Sequence, residues 1–82
     1  MKKLYQKEIL ALTSKSCQVL VDEKIKISHN NLDFKKDELI GKVIKIELTN
    51  IKPYKPFEII LENNNKKTSI SFIGINKIDF IN

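Results

Sequence analysis

With 82 residues and a mass of 9.5 kDa, the chain is near the lower size at which a hydrophobic core sustains a fold unaided, which leaves room for one domain, 1–82. Apolar residues make up 41% and charged residues 30%, too apolar a balance for a disordered chain. Its formal charge of +5 comes from lysines with no arginine, and with one cysteine, one histidine and no tryptophan the parts of most catalytic and metal-binding constellations are missing.

Taken in chain order, the first apolar run is Ile9-Leu10-Ala11-Leu12, far short of a bilayer span. The Tyr-Gln-Lys-Glu stretch before it interrupts any apolar core of a signal peptide, so the expectation is a cytoplasmic protein with no membrane contact. Residues 8–13 read as a strand, with the end of an amphipathic helix as the alternative. Residues 17–21 read as a second strand, with Cys17, Val19 and Val21 on one side and Leu20 on the other. Cys17, the only cysteine in the sequence, cannot form an internal disulfide, in keeping with a reducing compartment, and is expected to be passive and half-buried. After a turn at 22–24, residues 24–28 form a third strand with Ile25 and Ile27 on one face.

Residues 29–34 are a polar excursion. Asn31 or Asp33 is placed to cap one helical turn over 34–39, which Gly41 ends. Alternation is clearest at 42–50, the predicted central strand, with Ile44, Ile46 and Leu48 inward and Val43, Lys45, Glu47 and Thr49 outward. Two prolines make 51–56 a loop. Residues 57–62 resume the strand pattern with Phe57, Ile59 and Leu61 inward. Asn63 to Lys66 is a hairpin turn, because asparagine tolerates the left-handed backbone. The return strand is 67–73 with Ile70 and Phe72 inward, Gly74 gives a bend or bulge, and 77–81 is the last strand. The predicted fold is all-β: a meander of six or seven short strands curled into an SH3-like or OB-like barrel, with at most one helical turn near 33–40.

Each candidate site is weighed against its structural alternative. His29 has no second histidine and no cysteine pair to complete a metal or acid–base site, so a solvated loop histidine is expected. Glu47, Glu58 and Glu62 alternate with apolar residues on an outer sheet face shared with Lys45, the pattern of a solvated surface. The loop Lys52-Pro53-Tyr54-Lys55-Pro56 is the most pointed feature, since an aromatic held between lysines suits stacking on a base or docking on a protein; the alternative is that Tyr54 folds back as a lid. Lys35, Lys36, Lys66 and Lys67 also fall in predicted loops. Gathered at one end with Lys52 and Lys55, they make a basic rim for phosphates. The missing arginine argues against base-specific reading, and two glycines leave no phosphate-cradling loop.

The cadence Leu-Ile-Gly-Lys-Val-Ile-Lys-Ile-Glu-Leu at 39–48, followed by a strand, a polar hairpin and a final Ile-Asp-Phe-Ile, resembles small SH3-like and Sm-like barrels. The resemblance covers about half the chain and implies binding of RNA, DNA or peptides through loops and exposed strands; it assigns no residue roles. The expected function is a non-enzymatic binding module without cofactor or metal, contacting nucleic acid through Lys35, Lys36, Lys52, Tyr54, Lys55, Lys66 and Lys67. The alternative is an inhibitor or modulator encoded by a phage or mobile element, binding an acidic host protein by charge or by edge-strand pairing. Self-association through a terminal strand is a third option. The excess of lysine, isoleucine and asparagine points to AT-rich coding in a low-GC bacterium or one of its mobile elements.

Overall fold

The computed structural model describes residues 2–13, 15–48 and 57–81. It is a single antiparallel sheet of six strands: β1 (Lys3–Tyr5), β2 (Lys24–His29), β3 (Glu38–Leu48), β4 (Phe57–Asn63), β5 (Lys66–Ser71) and β6 (Ile75–Phe80). The spatial order is β1-β6-β2-β3-β4-β5. The all-β reading therefore stands, with two corrections. Strands β2 to β5 form a meander, but β6 returns to lie between β1 and β2. Nor does the sheet close into a barrel: among the described residues β1 and β5 are its two edges.

Short helical pieces supply part of the core. Helix α1 (Gln6–Leu10) follows β1 directly and buries Ile9, and a 3₁₀ helix at Ser16–Leu20 buries Cys17 and Leu20. Both pieces contradict the strands expected at 8–13 and 17–21. The reason is local capping. The Tyr5 N–H donates to Glu8 Oε1 at 3.0 Å, opening α1. Thr13 and Ser16 cap reciprocally, Thr13 N–H to Ser16 Oγ at 2.8 Å and Ser16 N–H to Thr13 Oγ1 at 3.0 Å. The 3₁₀ helix then buries every third residue, Cys17 and Leu20, and leaves Val19 60% exposed.

Strand β2 buries Ile25 and Ile27 as expected, and His29 with them. The helical turn expected over 34–39 is absent; Glu38 already begins β3, and Gly41 lies inside that strand opposite Ile25. Asn31 does form a capping-type contact, its Oδ1 accepting the Asp33 N–H at 2.9 Å, but the chain beyond it is drawn into the ladder with β2.

The inward set of β3 also differs from expectation. Val43 is fully buried opposite Leu61 and Ile46 is buried opposite Ile59, while Ile44 is the extra residue of a bulge between Val43 and Lys45. One inserted residue inverts the phase of alternation, so Val43 and Ile46 share a face although three positions separate them. Ile59 and Leu61 on β4 and Ile70 on β5 face inward as expected. Asn64 and Asn65 carry φ of 52° and 65° between the paired Asn63 and Lys66, a two-residue hairpin turn whose twist suits the strands. Phe72 is buried, as expected, but in a second 3₁₀ helix (Phe72–Gly74), where the Ser71 hydroxyl oxygen accepts the Ile73 N–H at 3.3 Å.

Candidate nucleic-acid interface

Three of the lysines singled out in the sequence meet at one groove. Lys35 and Lys36 come from the loop between β2 and β3, and Lys66 from the start of β5 across the hairpin. The groove is open and has a volume of about 1140 Å³. Phe34 and Leu39, both half-buried against the core, line it together with Asn63 and Thr68. Asn63 ties the walls together, its side-chain amide donating to the Ile40 carbonyl at 2.9 Å. Lys67 belongs to the other face of the sheet, because successive residues of a strand point to opposite sides. Lys52, Tyr54 and Lys55 lie outside the described residues, as does the proline loop they belong to.

The groove is not uniformly basic. Asp33, Asp37 and Glu38 line it beside the three lysines. Glu38 is engaged with Lys26 at 3.6 Å, which turns one of these carboxylates toward the outer face. All three lysines are exposed, and none of them forms an ion pair among the described residues. Their amines are therefore available to an outside anion.

The loop carrying Lys35 and Lys36 is held by a polar knot at its base. His29 is buried, 5% exposed, and not the solvated side chain expected from its asparagine neighbours. Its Nδ1 accepts the Asn31 N–H at 3.1 Å, and its Nε2 is a buried atom with no hydrogen-bond partner among the described residues. Phe34 packs edge-on to the imidazole with centroids 5.1 Å apart. The His29 N–H donates to the Asp37 carbonyl at 3.0 Å, pinching the loop shut, and the amides of Asn30 and Asn76 exchange hydrogen bonds across to β6. In this arrangement His29 fixes the lysine-bearing loop from below. Among the described residues no group of three or more histidine, cysteine or acidic side chains could hold a metal ion, and no helix is long and apolar enough to cross a membrane.

The carboxylates Glu47, Glu58 and Glu62 lie on the outer face as expected. Lys45 pairs with Glu47 at 3.4 Å, and the Ser69 hydroxyl donates to Glu58 at 3.2 Å. Sequence reasoning missed other residues on that face. Tyr5, 56% exposed, is opposite Lys77, and Lys24 is directly opposite Lys42. Alternation marks these residues as outward-facing, but only strand register shows which of them are neighbours. No protein-family model matches the sequence, and no curated protein or solved structure is significantly similar to it.

Proposed function

We propose that this protein is a non-catalytic module that binds nucleic acid through charge and shape. The observation that carries the reading is the convergence of Lys35, Lys36 and Lys66, about thirty residues apart in sequence, on one open groove, with no ion pair to their amines among the described residues. A net charge of +5 adds a long-range attraction for polyanions. Lys52, Tyr54 and Lys55, which lie outside the described residues, are further contacts proposed from the sequence alone. Lysine without arginine favours phosphates over base edges, so the expected binding is weakly sequence-dependent and strongly salt-dependent. Composition supports a cytoplasmic protein of a low-GC bacterium or one of its mobile elements.

The test is binding of a labelled oligonucleotide between about 50 and 200 mM salt. Wild type should bind at the lower salt and weaken steeply. Replacing Lys35, Lys36 and Lys66 by glutamine should flatten the dependence of log K on log salt by about 2 for a single strand, at about 0.7 per phosphate contact. No binding at the lower salt rejects the reading. A second reading, docking on an acidic host protein, is supported by a different feature: β5 is an edge strand, and Leu32 stands 97% exposed at the tip of the neighbouring loop. Capture of one acidic protein that competes with neither groove variant nor oligonucleotide would favour it.

A further inference from the structure

The outer face of the sheet carries an energetic anomaly. Lys24 on β2 is directly opposite Lys42 on β3, and neither forms an ion pair among the described residues. Like charges set directly opposite one another destabilise a sheet. The comparable acidic pair, Glu47 opposite Glu58, is compensated: Lys45 takes Glu47, and the Ser69 hydroxyl takes Glu58. For Lys24 and Lys42 the nearest opposite charge in register is Glu62, across from Lys42, and Glu62 is also opposite Lys67 on β5. Three exposed amines thus share one carboxylate in a row running across β2, β3, β4 and β5. Adjacent strands are about 4.8 Å apart, so the row is about 14 Å long. Folding alone gives no reason to keep it, and an anion laid along it would relieve the repulsion.

We propose that this row is a second contact surface, taking the sugar-phosphate backbone of a single-stranded nucleic acid. The inference rests on the nucleic-acid reading and names its substrate class. Charge complementarity selects a polyanion, and Tyr5 selects an unpaired strand. Its ring is 56% exposed on the same face, in register with Lys77, and offers a platform for a base that a duplex would keep stacked within itself. Elsewhere on this face Glu38 pairs with Lys26 at 3.6 Å and Glu47 with Lys45 at 3.4 Å. Asp79 is 7% exposed between Lys3 at 3.8 Å and Lys77 at 3.6 Å, so it presents little negative charge to a ligand.

The test uses the full chain and a labelled 20-nucleotide oligothymidylate at about 50 mM salt. The double variant Lys24→Gln/Lys42→Gln should bind at least tenfold more weakly, with a salt slope shallower by about 1.4, while its thermal midpoint stays level or rises because the repulsion is gone. Lys24→Arg/Lys42→Arg should keep the affinity. Tyr5→Leu should lower it roughly 5- to 150-fold, the range of one stacked base. Wild-type affinity and slope in the glutamine double variant would overturn the inference and leave the groove reading standing. So would a duplex, or a polyglutamate of matched charge, bound as tightly as the single strand. If wild type itself fails to bind, the nucleic-acid reading falls and this inference falls with it.

Discussion

Replacing Gly41 by alanine probes a close approach of β3 and β4. A Cβ at this position would lie 2.9 Å from the Glu62 carbonyl oxygen, 3.2 Å from Leu61 Cβ and 3.3 Å from the Glu62 carbonyl carbon. Comfortable non-bonded separations between carbons are about 3.5–4.0 Å, so β3 and β4 must part locally by roughly half an ångström. Two of the three obstructing atoms are backbone and cannot swing aside. Overpacking of this kind costs about 1–3 kcal/mol. Against it stands the gain from restricting the unfolded chain, about 0.4–1 kcal/mol where the backbone suits alanine, as it does here because neither glycine has positive φ. The clash wins, with a net loss of about 1–2 kcal/mol and a fall in thermal midpoint of roughly 4–16 °C for a domain of this size. Gly74→Ala is the control. Its nearest neighbour is Asn31 Cβ at 3.8 Å, an ordinary contact, so only the unfolded-state gain remains and the midpoint should rise by a few degrees, at about 4–8 °C per kcal/mol. Far-UV circular-dichroism melts of both variants decide the matter. A Gly41→Ala midpoint at or above wild type, or an equal fall in both variants, would refute the reasoning. Because Ile40 and Asn63 flank this contact and line the groove, Gly41→Ala should also weaken oligonucleotide binding.

Three further outcomes are expected. Burial pushes the Cys17 thiol up from its ordinary value of 9.0, against weaker opposing hydrogen bonds from the backbone and Gln18. The unfolded thiol therefore ionises first, so its contribution to stability is complete below pH 9.0 and is lost above it; urea midpoints of wild type should fall relative to Cys17→Ala in that range, and parallel profiles would sink the assignment. Asn65→Gly should stabilise the β4–β5 turn by up to about 1 kcal/mol and Asn65→Val should destabilise it by about 1–2 kcal/mol, since φ is 65° there; equal urea midpoints for the two variants would contradict the turn geometry. Phe72 is fully buried where the second 3₁₀ helix meets α1 and β4, and Phe72→Ala should cost about 3–5 kcal/mol, read as loss of the cooperative melting transition near room temperature; a loss below 1 kcal/mol would place the ring outside the core.

Several elements were legible because their cause is local. Alternating isoleucines in β2, the inward pair Ile59 and Leu61 in β4, and the asparagine turn at 64–65 each express a backbone rule acting within a few residues. The helical pieces had a local signal too, the reciprocal pair Thr13 and Ser16 before a buried i, i+3 pair, but their short apolar runs suit a strand equally well. The burial of His29 is not legible in the sequence, because its asparagine neighbours suggest solvent while burial depends on Phe34 and on the backbone of Asn31 closing over it.

By itself the sequence determined the all-β class, most strand positions, the hairpin and which lysines stand free of a core. Tertiary structure decided the rest: the return of β6 between β1 and β2, the open edges, and the bulge at Ile44 that turns Val43 inward. It also decided which amines meet, Lys35 and Lys36 with Lys66 in the groove and Lys24 with Lys42 on the outer face. The physical reason is that alternation is a property of one strand, whereas register and strand order are set by how several strands together bury their apolar faces, and a single inserted residue shifts every neighbour beyond it.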